Sequence, residues 1–171
     1  MLILAMSTGL PFAEPPVGAL RFARAKLYTK PYTNGTFDAQ RMGSPCIQNP
    51  LGDPRPPGDK ESPSASEDCL NLNIYRPADA VNAPVMVWAF GGGLCGGYAG
   101  NRYYNGSALA LRHGVIVVTV SYRIGALGFL TTRDDHELGS GGMNGINDVI
   151  VSLALKWNPD GVTVFTRSSF N

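Results

Sequence analysis

Between residues 70 and 75 the chain alternates: Leu70, Leu72 and Ile74 stand against Asn71, Asn73 and Tyr75. A period of two predicts a β-strand, because successive side chains of an extended chain point to opposite faces. After Pro84 comes the continuous apolar run Val85 to Phe90, which reads as a buried strand. Val115 to Val120 is β-branched at every position and is the strongest strand signal in the chain. Such runs suit a sheet covered on both faces. Val162 to Phe165 reads as one more short strand. Ser107 to His113 predicts a short helix, with Ser107 as its cap and Gly114 as its stop. Beyond a glycine-rich turn from Gly139 to Gly145, Ile146, Val149, Ile150, Leu153, Ala154 and Trp157 recur at helical spacing, so one face of Asn147 to Trp157 is apolar. Strand, helix, strand, helix, strand is the order of an α/β layer fold.

Residues 11 to 66 lack such a pattern. Ten prolines from Pro11 to Pro63 punctuate them, and no helix of useful length fits between these breakers. The stretch 45–66 reads as an exposed proline-rich loop. There is no internal repeat.

Composition narrows the classes. A chain of 171 residues suffices for one domain, which buries roughly 70% of its unfolded surface. With 44% hydrophobic and 16% charged residues it is globular rather than disordered. A net charge of +1 gives no basis for a nucleic-acid partner or an anionic membrane surface. No stretch reaches the length of a membrane span, so no transmembrane segment is expected. Met1 to Met6 is apolar but short, with no basic region before it and no small-residue cleavage site after it. It is read as a chain beginning mid-fold and not as a signal peptide. Three cysteines, Cys46, Cys69 and Cys95, fit one bridge and one free thiol. Two glycosylation triplets begin at Asn34 and Asn105. Together with a cysteine pair they point to a secreted, extracellular parent protein.

The feature that carries chemistry is Phe90-Gly91-Gly92-Gly93, directly after a strand. Three glycines let backbone N–H groups turn towards one point with no side chain in the way, and two converging donors can stabilise a developing oxyanion. A glycine triplet alone reads more readily as a flexible turn. Its surroundings change that. Ser66-Glu67-Asp68-Cys69-Leu70-Asn71-Leu72-Asn73-Ile74 resembles the cysteine-containing signature of the type-B carboxylesterase, lipase and cholinesterase family, and it lies one strand before the triplet as in that family. Leu10 to Pro16 with Leu20-Arg21-Phe22 resembles the family's N-terminal block. Val120-Ser121-Tyr122-Arg123 with Gly128-Phe129-Leu130 resembles the strand and turn after the oxyanion loop. Gly142 to Asp148 resembles the start of the helix before the nucleophile strand. The blocks come in the family's order over residues 10 to 165.

The resemblance implies an α/β-hydrolase fold, here incomplete: one partial domain over residues 1–171, holding the N-terminal part of the central sheet with its first helices. It implies a parent carboxylic ester hydrolase acting on a small-molecule or lipid ester through a Ser, His and acid triad, with no metal or organic cofactor. Gly92 and Gly93 would supply oxyanion-hole N–H groups. Cys69 would pair with the upstream Cys46, Arg21 with Glu67, and Arg123 with Asp148, both ion pairs being buried. The match fails at the nucleophile. Ser168 holds its place in order, but Thr166 and Phe170 stand where the elbow's glycines belong, and the link from Trp157 to the last strand is roughly ten residues short. His113 and His136 read as solvated surface histidines, and Cys95 as a buried, inert thiol. The expectation is therefore a truncated piece, inactive alone. The alternatives are a non-catalytic, esterase-like binding or adhesion protein, and a truncated gene product with no stable fold.

Overall fold

The computed structural model describes residues 3–30, 37–48, 63–131 and 142–155. Asn34, the prolines from Pro50 to Pro57, His136, Trp157, the strand expected at Val162 to Phe165, and Ser168 lie outside the described residues. Four strands form one mixed sheet: β1 (Leu4–Pro11), β2 (Asn71–Pro77), β3 (Val85–Ala89) and β4 (Ile116–Val120). Their spatial order is β1-β2-β4-β3. β1 and β2 run antiparallel, as do β2 and β4, whereas β3 and β4 are parallel. The helices are α1 (Ser107–His113), α2 (Gly125–Phe129) and α3 (Asn144–Leu153). This mixed sheet with its helices has the strand and helix order expected of the N-terminal part of an α/β-hydrolase sheet. Among the described residues no helix is long and apolar enough to cross a membrane.

Pairing turns the periodicity into two layers. Leu72 lies opposite Leu10 and Val120, and Ile74 opposite Val118. These side chains join Phe12, Phe90, Tyr122 and Ile124 in the larger core. The other face of β2 is also buried: Asn73 and Tyr75 are each 1% exposed. Tyr75 and Val117 pack under Ala110 of α1. Asn73 serves a different purpose. The register of β1 slips between Ser7 and Leu10, and such a bulge leaves a backbone group unpaired. Asn73 Oδ1 accepts the Gly9 N–H at 3.0 Å, and its Nδ2 donates to Thr119 Oγ1 at 3.0 Å. The polar half of the alternation is thus a buried, satisfied row and not a solvated face.

Four expectations need correction. Ser107 does not cap α1. The N-cap is Gly106, and the Ser107 N–H is taken by Asn105 Oδ1 at 2.9 Å. A Cβ at position 106 would stand 2.6 Å from Val117, so close packing on the sheet selects glycine there. Gly114 does stop the helix, at φ 63°. β3 is not buried: it is the last strand of the described sheet, and Met86 and Trp88 are 49% and 48% exposed. The apolar run records what β3 can bury, and within the described residues it pairs along one edge only.

The third correction concerns α3, which begins at Asn144, inside the expected glycine turn. Most of its apolar face is exposed: Ile146, Ile150 and Leu153 lie outside, Val149 packs against the core, and Asn144, Gly145, Asp148 and Ser152 are buried. Polar anchoring explains the inversion. Arg123 is 2% exposed. Its Nε and Nη2 donate to the two Asp148 oxygens at 2.9 and 2.7 Å, and its backbone N–H donates to Asp148 Oδ2 at 3.0 Å. Asn144 Nδ2 donates to Phe22 O at 3.0 Å. Burial pushes the Asp148 carboxyl above its ordinary pKa, against the downward pull of Arg123. This is the sign of a pair whose desolvation is costly. The Arg21–Glu67 pair also forms, at 2.9 Å, but it is not buried as expected: the side chains are 43% and 23% exposed.

Cys46 and Cys69 form a disulfide, with Cα atoms 4.9 Å apart. It closes a loop of sequence separation 23, for which loop-closure entropy gives about 3.4 kcal/mol. Replacing both cysteines should lower the free energy of urea unfolding by about 3 kcal/mol, and an unchanged midpoint would contradict this. The two ion pairs should behave differently. Asp148→Ala strands a buried guanidinium and should cost about 3–5 kcal/mol, whereas Glu67→Ala should cost less than about 1 kcal/mol. The same denaturation series, followed by circular dichroism, separates them, and equal losses would refute the distinction.

Candidate functional site

The loop after β3 is built from below. Phe90 is 3% exposed, and its ring stacks on Tyr122 with centroids 4.4 Å apart. The Tyr122 hydroxyl donates to Phe90 O at 2.6 Å, which fixes the last residue before the glycines. Burial raises the Tyr122 pKa, the neighbouring Tyr104 adding to it, so the phenol is held as a donor. Beyond Phe90 the chain turns sharply. The N–H groups of Cys95 and Gly96 both donate to Gly92 O, at 3.1 and 3.2 Å. Gly92 has φ 147°, and a Cβ there would overlap Gly96 O. Gly93 has φ 61° with open space where a Cβ would stand. Leu94 also has φ 61°, a left-handed conformation that is costly for a residue with a Cβ. Its carbonyl is held by the Gly125 N–H at 2.6 Å.

The sequence-derived donors, Gly92 and Gly93, therefore sit on an exposed, braced turn. Among the described residues neither N–H is engaged in a hydrogen bond, while the carbonyls of Gly92 and Leu94 are. Two free consecutive amides on a turn held from both sides are what an anion or a developing oxyanion needs. Cys95 is exposed, which corrects the expectation of a buried thiol.

Other predicted residues lie apart. His113 is exposed at the C-terminal end of α1. Asn105 is exposed beside the start of α1. Arg123 and Asp148 bind the N-terminal block to the end of β4 and to α3, and Arg21 and Glu67 bind it to the segment before β2. The sequence reading missed the Tyr122 hydroxyl. Its only signal was an aromatic just after the strongest strand, which a core reading absorbs equally well.

Comparison with known proteins finds a family match. A family model described as the carboxylesterase family matches residues 5–166. Pyrethroid hydrolase Ces2e of Rattus norvegicus is 41% identical over 94% of this chain and 30% of its own length. Carboxylesterase 3 of Homo sapiens is 41% identical over 92% of this chain and 27% of its own. Acetylcholinesterase 4 of Caenorhabditis briggsae is 40% identical over 94% and 28%. The chain thus spans less than a third of the length of these relatives.

Tyr122→Phe keeps the ring stacking and deletes one hydroxyl. It leaves the buried Phe90 carbonyl without its donor and should cost about 1–3 kcal/mol in urea unfolding. A loss below a few tenths would mean that water replaces the hydroxyl and the brace is dispensable.

Proposed function

We propose that this chain, which belongs to the carboxylesterase family, supplies the oxyanion-stabilising part of a serine-dependent carboxylic ester hydrolase. The observation that carries the reading is the pair of unengaged amides at Gly92 and Gly93 on a turn whose neighbouring carbonyls are tied down. In ester hydrolysis a serine oxygen attacks the carbonyl carbon, and the carbonyl oxygen takes on negative charge. Donors already in place stabilise that charge without reorganising at the moment of reaction. The open space at Gly91 and Gly93, where a Cβ would meet nothing within 4 Å, leaves room for an acyl group to approach. The substrate class is a small-molecule or lipid ester. A secreted parent fits the Cys46–Cys69 bridge, since disulfides persist in oxidising compartments, with Asn105 as an exposed acceptor for glycosylation.

The serine, base and acid must come from elsewhere than the described residues. Ser168 has Thr166 and Phe170 where a nucleophile elbow needs glycines, because its backbone is strained and closely packed. The same departure favours the second reading, an esterase-like protein that binds without catalysing.

Two assays test this. The purified chain should not hydrolyse a short-chain chromogenic ester any faster than its Ser168→Ala variant. Turnover abolished by that substitution would make Ser168 a working nucleophile and overturn the proposal. In a longer product with an intact triad, Gly92→Ala should lower kcat by about 10²–10³-fold. A longer product with no hydrolysis at all would favour the binding reading.

A further inference from the structure

We propose that Gln48 is a positioning residue of the glycine turn: its side-chain amide clamps the backbone of Gly97 and thereby sets where Gly92 and Gly93 stand. Gln48 Oε1 accepts the Gly97 N–H at 3.0 Å, and Gln48 Nε2 donates to Gly97 O at 3.0 Å. The same Nε2 donates to Cys46 O at 3.0 Å. One N–H needs an acceptor and two carbonyls need donors, so only one orientation of the amide satisfies all three. Both ends of a single residue's backbone are held by one side chain 49 positions away in sequence.

The clamp has a fixed end and a moving end. On the fixed side, Cys46 is cross-linked to Cys69, and its main chain bridges to Ser66, whose N–H donates to Pro45 O at 2.9 Å. Gln48 is two residues from that anchor. On the other side, Gly97 has φ 135°, and a Cβ there would overlap the Phe90 ring. Its neighbour Gly96 donates to Gly92 O, and Gly96 O lies where a Cβ on Gly92 would go. A displacement of Gly97 therefore pushes Gly96 against Gly92. Tyr122 and Gly125 hold the entry and middle of the turn, and Gln48 holds its exit. The geometry stands alone, whereas its catalytic meaning rests on the reading of Gly92 and Gly93 as oxyanion donors.

The test is amide hydrogen exchange by NMR on the isotope-labelled 171-residue chain, as wild type, Gln48→Met and Gln48→Glu. Gln48→Met removes all three bonds at nearly constant volume. It should speed exchange at Gly97, Cys95 and Gly96 by about tenfold or more, the scale set by losing two modest hydrogen bonds. Exchange in β2 and β4 should not change. Gln48→Glu keeps an acceptor for the Gly97 N–H but loses the donor to Gly97 O. It should preserve protection at Gly97 while exchange rises at Cys95 and Gly96. Unchanged exchange at residues 95–97 in Gln48→Met overturns the proposal. So does a uniform rise across the sheet, which marks Gln48 as a general contributor to stability. If Gln48→Met does not fold, Gln48→Glu decides: faster exchange confined to Cys95 and Gly96 supports the clamp, and any other pattern overturns it. No ester enters this measurement. Failure of the hydrolysis assays with the clamp intact would sink the oxyanion reading alone.

Discussion

The Arg123 guanidinium joins segments that lie far apart in sequence. Nη1 donates to Arg21 O at 2.8 Å, Nη2 to Ala23 O at 2.9 Å, and the remaining bonds go to Asp148. The N-terminal block, the end of β4 and the start of α3 therefore share one buried cation. Such a centre adds little net stability, because the desolvation of both charges offsets their attraction, but it cannot lose a partner cheaply. It also explains the helix that shows its apolar side outward: the inward face is set by Asp148 and Asn144, which have defined partners, and by Gly145, where a Cβ would overlap Arg123 O.

From that anchor the structure reaches the glycine turn through short steps. Tyr122 lies next to Arg123 in sequence and holds Phe90. Gly125 lies two residues further on and holds Leu94. The end of β4 thus ties the N-terminal block on one side and the turn after the parallel neighbour β3 on the other. Placing both duties on one short segment makes the turn's geometry depend on the whole sheet and not on loop stiffness. Leu94 in the left-handed region is the visible strain of that arrangement, held by a single short bond to Gly125 and by the fold around it.

The disulfide end contributes the remaining support. The Cys46–Cys69 bridge lies against the start of β2 and fixes Cys46, whose main chain pairs with Ser66. Gln48 extends that fixed point to the exit of the turn. The three supports come from Gln48, Tyr122 and Gly125, far apart in sequence, and no one of them is a catalytic group.

The sequence by itself determined β2, β3, β4 and the glycine turn, and through the resemblance the cysteine pair; it gave no signal for β1, whose residues read only as the apolar start of the chain. β-Branched runs, a period of two and three consecutive glycines are local facts that local sterics reads out, and the order of five blocks identified the family. It also determined the partners in the ion pairs, though only through resemblance. Tertiary structure decided what those elements face. Asn73 read only as the polar half of an alternation and became the filler of a bulge, because the slip in β1 orphaned an N–H beside it. The apolar stripe of α3 lies mostly outward, because helical spacing records where hydrophobic residues lie but not where a buried charge waits. Ser107 yielded the cap to Gly106 because Val117 left no space for a side chain. Gln48 and the Tyr122 hydroxyl carried no local signal at all: each acts on backbone brought to it from far along the chain, and such a contact exists only once the sheet has formed.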